Sequence, residues 1–205
     1  MDKFYINRII VGMVIVICLF SYLLSGCAAE EPFKEDIPEL ITKVVLTFEP
    51  LSAGTNIVVI ASDPDGDGVK DITVDAPINL QANTSYILTL SLLNELAEMS
   101  SPAYNITDEV EEEGDEHMFF YTWTGNVFSD PAGNGNIDNR LDVVNYIDED
   151  VDGLPVGINT FWTTGTASSG TFRIVLKHQP QLKSTISGAD TGETDLDVEF
   201  EININ

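Results

Sequence analysis

Positive charge is scarce in this chain. Nine Lys and Arg stand against 34 Asp and Glu in 205 residues, a formal net charge of −25. Each phosphate contact needs a Lys or Arg, so nucleic acid is excluded as a partner and an anionic membrane face offers no electrostatic hold. Divalent cations and basic surfaces are the fitting counterparts. Cysteine and histidine are scarcer still, two of each. No phosphate loop, dinucleotide fingerprint or Cys-based metal motif occurs. There is no βαβ alternation and no internal repeat of useful length, which excludes the doubly wound folds. Apolar residues, at 43 %, are too many for a disordered acidic tail, so the charge must coat something folded.

What the chain does have begins at its first residues. Lys3 and Arg8 precede an apolar run from Ile9 to Leu24 that ends in Leu24-Ser25-Gly26-Cys27. Residues 1–26 therefore read as a lipoprotein signal peptide, cleaved before Cys27, whose sulfur and new amino group take acyl chains. Spanning a membrane as a helix takes about twenty apolar residues, which this run falls short of. Cleavage removes Asp2, Lys3 and Arg8, one acid and two bases, and leaves 33 acids against 7 bases. Cys18 departs with the signal and Cys27 is the lipidation site, so neither a disulfide nor thiol catalysis is expected. Residues 27–39 read as an acylated tether and 40–205 as the folded domain. Alanine after the cysteine favours the outer membrane, with the cell surface expected and the periplasmic face open.

The domain reads as strands. Leu196, Val198, Phe200, Ile202 and Ile204 alternate with Asp197, Glu199, Glu201 and Asn203, one face core and the other solvated acid. Similar runs lie at 41–48, 56–61, 85–93, 118–123, 141–147, 156–163 and 171–178. Eight short strands separated by Gly-rich turns predict a mainly β fold, an antiparallel two-sheet β-sandwich of Ig-like type. One short acidic helix is expected at 107–117, capped by Thr107 or Asp108, with Gly114 as an internal cost. On that helix Ile106, Val110, Glu113 and His117 share one stripe.

Two constellations bear chemistry. The first is a metal site. His178 ends the inward row Phe172, Ile174, Leu176, as His117 ends the inward helix stripe, so both imidazoles are expected at one edge of the core. With Glu113 as third ligand, and Glu109 or Glu116 to orient or replace it, the set suits Zn²⁺, Cu²⁺ or Fe²⁺. The second is calcium. Asp63-Pro-Asp65-Gly-Asp67-Gly and Asp148-Glu-Asp150-Val-Asp152-Gly both match the start of a calcium loop, with Asp71 at the ninth place of the first, though neither has a glutamate at the twelfth. Asp and Gly are also ordinary turn residues. Ser168 and Ser169 lack a nucleophile-elbow pattern, and no enzyme is expected. Phe119, Phe120, Tyr121, Trp123, Phe161 and Trp162 read as core rather than as a sugar platform.

Several stretches together carry a resemblance: the lipobox, Ile-Thr-Lys-Val-Val-Leu-Thr-Phe at 41–48, the Asp-rich turn at 63–68, Ser-Leu-Leu-Asn-Glu at 91–95, Glu116-His-Met-Phe-Phe-Tyr121, the Thr164–Gly170 turn and Lys177-His-Gln-Pro180. The chain resembles a family of small Bacteroidota outer-membrane lipoproteins, often encoded beside TonB-dependent receptors and automatically labelled "type 1 periplasmic binding fold superfamily protein". The early Glu30-Glu31 pair is similar to the signal that sends such lipoproteins to the cell surface. The resemblance spans nearly the whole mature chain, with 128–139 as an insertion. It implies a non-enzymatic accessory that captures a metal ion or other nutrient for a TonB-dependent receptor. The competing expectation is a structural or adhesive surface lipoprotein with calcium-responsive acidic loops.

Overall fold

Strand alternation in the sequence becomes alternation of burial in the computed structural model, which describes residues 39–66 and 72–205. The expected signal peptide at 1–26, the expected tether at 27–39 except Glu39, Cys27 included, and the candidates Asp67 and Asp71 lie outside the described residues. Among the described residues ten strands form: β1 (Lys43–Pro50), β2 (Ile57–Ser62), β3 (Thr73–Val74), β4 (Ile78–Leu80), β5 (Ser85–Leu93), β6 (His117–Trp123), β7 (Phe128–Asp130), β8 (Asn159–Thr164), β9 (Ser168–His178) and β10 (Glu193–Ile204). One α-helix among the described residues, α1 (Ile106–Glu112), follows a 3-10 turn at Pro102–Tyr104. Among the described residues no helix is long and apolar enough to cross a membrane.

The strands make two sheets, one of six in the order β3-β2-β1-β5-β8-β7 and one of four in the order β4-β10-β9-β6. Val44, Leu46 and Phe48 of β1 and Tyr86, Leu88, Leu90 and Leu92 of β5 point inward from the first sheet. Phe172, Ile174 and Leu176 of β9 and the expected row from Leu196 to Ile204 of β10 meet them from the second. Aromatic rings knit the middle: Trp162 lies edge-on to Phe172 at 5.2 Å and to Trp123 at 5.1 Å. Each side chain so buried is worth about 1.5–3 kcal/mol relative to exposure. Both tryptophans are buried, so neither offers a stacking platform for a sugar.

The mainly β, two-sheet architecture with one short helix is the expected one, with four differences. The second sheet is mixed, because β4 runs parallel to β10. The strands β3, β4 and β7, two or three residues each, are too short to leave a periodic signal. The run 141–147 is not a strand: Leu141, Val143 and Ile147 are exposed, and only the Tyr146–Thr160 bridge and its neighbours lie along β8. Helix α1 stops at Glu112, capped by Asn105 and Glu113, so Gly114 falls in the turn beyond it and His117 opens β6. Thr107, the expected cap, instead docks the helix. Its hydroxyl accepts from the Leu92 amide (2.7 Å) and donates to the Leu92 carbonyl (3.2 Å).

β6 is buried on both faces and would be an edge of its sheet. Residues 134–136, inside the stretch read as an insertion, cover that edge. The Trp123 amide donates to the Asn134 carbonyl (3.1 Å), and Asn136 exchanges backbone and side-chain hydrogen bonds with Tyr121. Covering an edge removes a template for pairing with another chain. Gly135 is required there, since a Cβ would stand 2.0 Å from the Tyr121 carbonyl oxygen.

Candidate metal centre

The first residue of β6 and the last of β9 are the two histidines, and the antiparallel register sets His117 directly opposite His178. Opposed residues share a face, here the inward face that continues as Phe119 and Leu176. The rings stack with centroids 4.6 Å apart and planes 9° from parallel. His117 is fully buried and His178 nearly so. The two imidazoles thus meet at one edge of the core as expected, but His117 arrives by the two-residue period of a strand rather than by a helix stripe. At the next corner, Gly192 (φ 74°) lets the chain return against His178, where a Cβ would lie 2.1 Å from the His178 carbonyl oxygen.

Glu113 enters from the turn between α1 and β6. Its backbone carbonyl accepts from the His117 amide (3.1 Å) and faces His117 Nδ1 at 3.1 Å. A carbonyl only accepts, so the neutral ring carries its proton on Nδ1 and its lone pair on Nε2, the arrangement that orients a metal-binding imidazole. The Glu113 carboxylate, His117 and His178 each present a ligand atom, all within 4.8 Å of one another. Glu116 sits beside them, Oε2 3.4 Å from His178 Nε2. Glu109 belongs to a second group with Glu39 and Glu113, again within 4.8 Å. Glu113 is therefore common to an inner histidine group and an outer carboxylate group. A hollow of about 400 Å³ opens outside it, lined by Asp108, Glu109, Glu112 and Glu113, and such a concave acidic wall concentrates cations. The stacked geometry sets one condition on metal binding. Lone pairs lie in the ring planes, so with planes nearly parallel one imidazole must turn before both nitrogens converge on an ion.

Asp195 is the residue that periodicity hides. The β10–β9 register shifts between Thr194 and Leu196, and this bulge turns Asp195 inward, so that Asp195 and Leu196 are both buried. A bulge adds one residue to one strand and re-aims its side chain. Asp195 Oδ2 lies 3.8 Å from His117 Nε2, with both side chains 0 % exposed. Burial pushes the carboxyl up to about 6, against the opposing pull of nearby His178 and the Glu39 amide.

The acidic turns differ from each other. Asp63 is buried, and its carboxyl lies above the ordinary range, through burial and then the adjoining Asp65 side chain. Its Oδ1 accepts from the Gly66 amide (3.2 Å). In the second turn the carboxylates are engaged by the protein. Asp148 accepts from the Gly157 and Asn159 amides, each at 2.8 Å. Asp150 accepts from the Asp152 and Leu154 amides and pairs with Lys183 Nζ at 2.7 Å. Burial would raise Asp150, but Lys183 and the Leu154 amide hold it below the usual carboxylate range. Asp152 is exposed. This second turn therefore braces the fold, and its carboxylates do not converge on one point. Ser168 and Ser169 begin β9 while His178 ends it, about 33 Å of strand away at about 3.3 Å per residue, so they meet neither histidine. No family model, curated protein or solved structure matches the chain.

Proposed function

We propose that this protein is a non-enzymatic, lipid-anchored binding accessory of the outer membrane, exposed at the cell surface, which captures a divalent transition metal for a TonB-dependent receptor. The observation that carries the reading is the direct cross-strand pairing of the chain's two histidines against Glu113. Two imidazoles and a carboxylate are a ligand set for Zn²⁺, Cu²⁺ or Fe²⁺, and the acidic hollow outside Glu113 supplies an approach for a cation. A second reading, a structural or adhesive lipoprotein responsive to Ca²⁺, is favoured by the buried Asp63 beside Asp65.

One titration separates them. Protein purified without chelator is loaded with Zn²⁺, Cu²⁺, Fe²⁺ or Ca²⁺ while its melting temperature is followed. Binding at 100 times Kd stabilises by about 2.7 kcal/mol. The expected result is one transition-metal ion per chain, with the thermal shift removed by His117→Ala and by His178→Ala. Absence of uptake by the wild-type protein overturns the metal reading. A shift seen with Ca²⁺ alone and removed by Asp65→Ala establishes the second.

A further inference from the structure

An imidazole binds a metal through one nitrogen, and the hydrogen bond made by the other decides which one that is. The two histidines are held at different nitrogens. His117 faces the Glu113 carbonyl oxygen through Nδ1 at 3.1 Å, whereas His178 faces Glu116 Oε2 through Nε2 at 3.4 Å. A carbonyl oxygen and an ionised carboxylate only accept, so each neutral ring turns its N–H towards its own acceptor. The lone pair is therefore on Nε2 in His117 and on Nδ1 in His178. Asp195 does not compete for the His117 proton, since its Oδ2 stands 3.8 Å from Nε2, beyond hydrogen-bond reach. The strand register puts Glu116 in place. The Gln179 amide donates to the Glu116 carbonyl (2.6 Å) one rung beyond the His117–His178 pair, which anchors Glu116 at the end of β9 that carries His178.

Resting on the metal reading above, we propose that the two rings offer the ion unlike nitrogens, His117 through Nε2 and His178 through Nδ1, with Glu116 as the residue that positions the second. Glu116 stays outside the ligand set. With His178 and the ion it forms the carboxylate–histidine–metal arrangement that fixes ring orientation and raises ligand basicity. Glu113 serves twice, its carboxylate as a ligand and its backbone carbonyl as the group that orients His117. The two halves differ in freedom. His117 is wholly buried and tied to the main chain, while His178 ends its strand and is tied to a side chain that is 35 % exposed. The turn demanded by the near-parallel ring planes accordingly falls to His178, with Glu116 following it.

Zn²⁺ and ¹¹³Cd²⁺ are the test ions, because neither broadens magnetic resonance signals and ¹¹³Cd couples through one bond to the nitrogen it binds. Full-length protein labelled with ¹⁵N in its two histidines is observed at about pH 8, where an ordinary imidazole is neutral. Before metal is added it should show His117 protonated at Nδ1 and His178 at Nε2, the signals assigned through His117→Ala and His178→Ala. One equivalent of Zn²⁺ should displace the resonances of His117 Nε2 and His178 Nδ1, and ¹¹³Cd²⁺ should couple to those two nitrogens alone. Glu116→Ala should bind Zn²⁺ about 10–100-fold more weakly and mix the His178 tautomers while leaving that of His117 unchanged. Glu116→Gln, whose amide oxygen still accepts, should restore the His178 tautomer and most of the affinity. Coupling of ¹¹³Cd to His178 Nε2, or wild-type affinity and tautomer in Glu116→Ala, overturns the assignment; if His178→Ala still abolishes binding, the metal reading survives. Failure of the wild-type protein to take up Zn²⁺ or Cd²⁺ overturns both.

Discussion

At the scale of single residues, Asp195 works against the fold that holds it. Its ordinary value of 3.8 is raised to about 6 by burial, so the folded chain binds this proton more tightly than the unfolded chain. The contribution to stability is then fully present below about pH 4 and is lost as pH rises through about 6. The gap corresponds to about 3 kcal/mol. Metal-free Asp195→Asn, a neutral stand-in for the protonated acid, should be about 2–3 kcal/mol more stable than wild type at pH 7. The advantage should shrink towards zero near pH 4, as read by urea unfolding at each pH. An equal difference at both pH values would mean that the carboxylate is not the cause. His178 was legible beforehand because it extends an apolar row of period two. Asp195 was not, since its acidic neighbours at 197, 199 and 201 make it look like one more solvated side chain. A one-residue bulge leaves no compositional trace, although an acid immediately before the first apolar residue of a strand is the place where one can turn inward.

At the scale of elements, the site depends on the turn between α1 and β6, because that turn carries Glu113 and starts His117. Lys183 holds the turn from outside. Its Nζ donates to the Gly114 carbonyl and pairs with Asp150, with both paired side chains 1 % exposed. Removing one member of a buried pair strands the other charge and costs about 3 kcal/mol. Lys183→Met should therefore lower the unfolding free energy by that amount, moving the urea midpoint down without changing the slope, and it should weaken metal binding through Glu113. Unchanged stability would show that the pair is solvent-relieved. Seven of the eight strand runs were legible, because each alternates or is apolar throughout and each pairs with a long neighbour. The run 141–147 has the same composition, but only its end at 145–147 lies along β8, and Leu141, Val143 and Ile147 face solvent while Val144 and Tyr146 pack on the core. The helix was legible as an acidic stretch with Ile106 and Val110 buried. Its end was not, since the chain leaves the helix where Glu113 caps it and the strand bearing His117 takes over. Two different periods thus delivered the same juxtaposition of histidines.

At the scale of the whole molecule, charge limits how the protein can be held at a membrane. With the proposed cleavage of residues 1–26 the chain would carry 33 acids and 7 bases, and a membrane attracts a protein by about 1 kcal/mol per basic residue near its surface. With so few bases, and with anionic lipid repelling the rest, the folded domain has no electrostatic hold on a leaflet. In the lipoprotein proposal, attachment then falls wholly on Cys27. Two or more acyl chains anchor stably where one gives only marginal, reversible binding. The wild-type protein should partition into detergent and incorporate labelled palmitate, and Cys27→Ser should do neither. Because no residual attraction compensates, release should be complete even at low ionic strength. A serine variant that stays in the membrane with residues 1–26 uncleaved would make the run from Ile9 to Leu24 the anchor instead. Release only at high salt would mean that a basic partner, rather than lipid, holds the acidic domain in place.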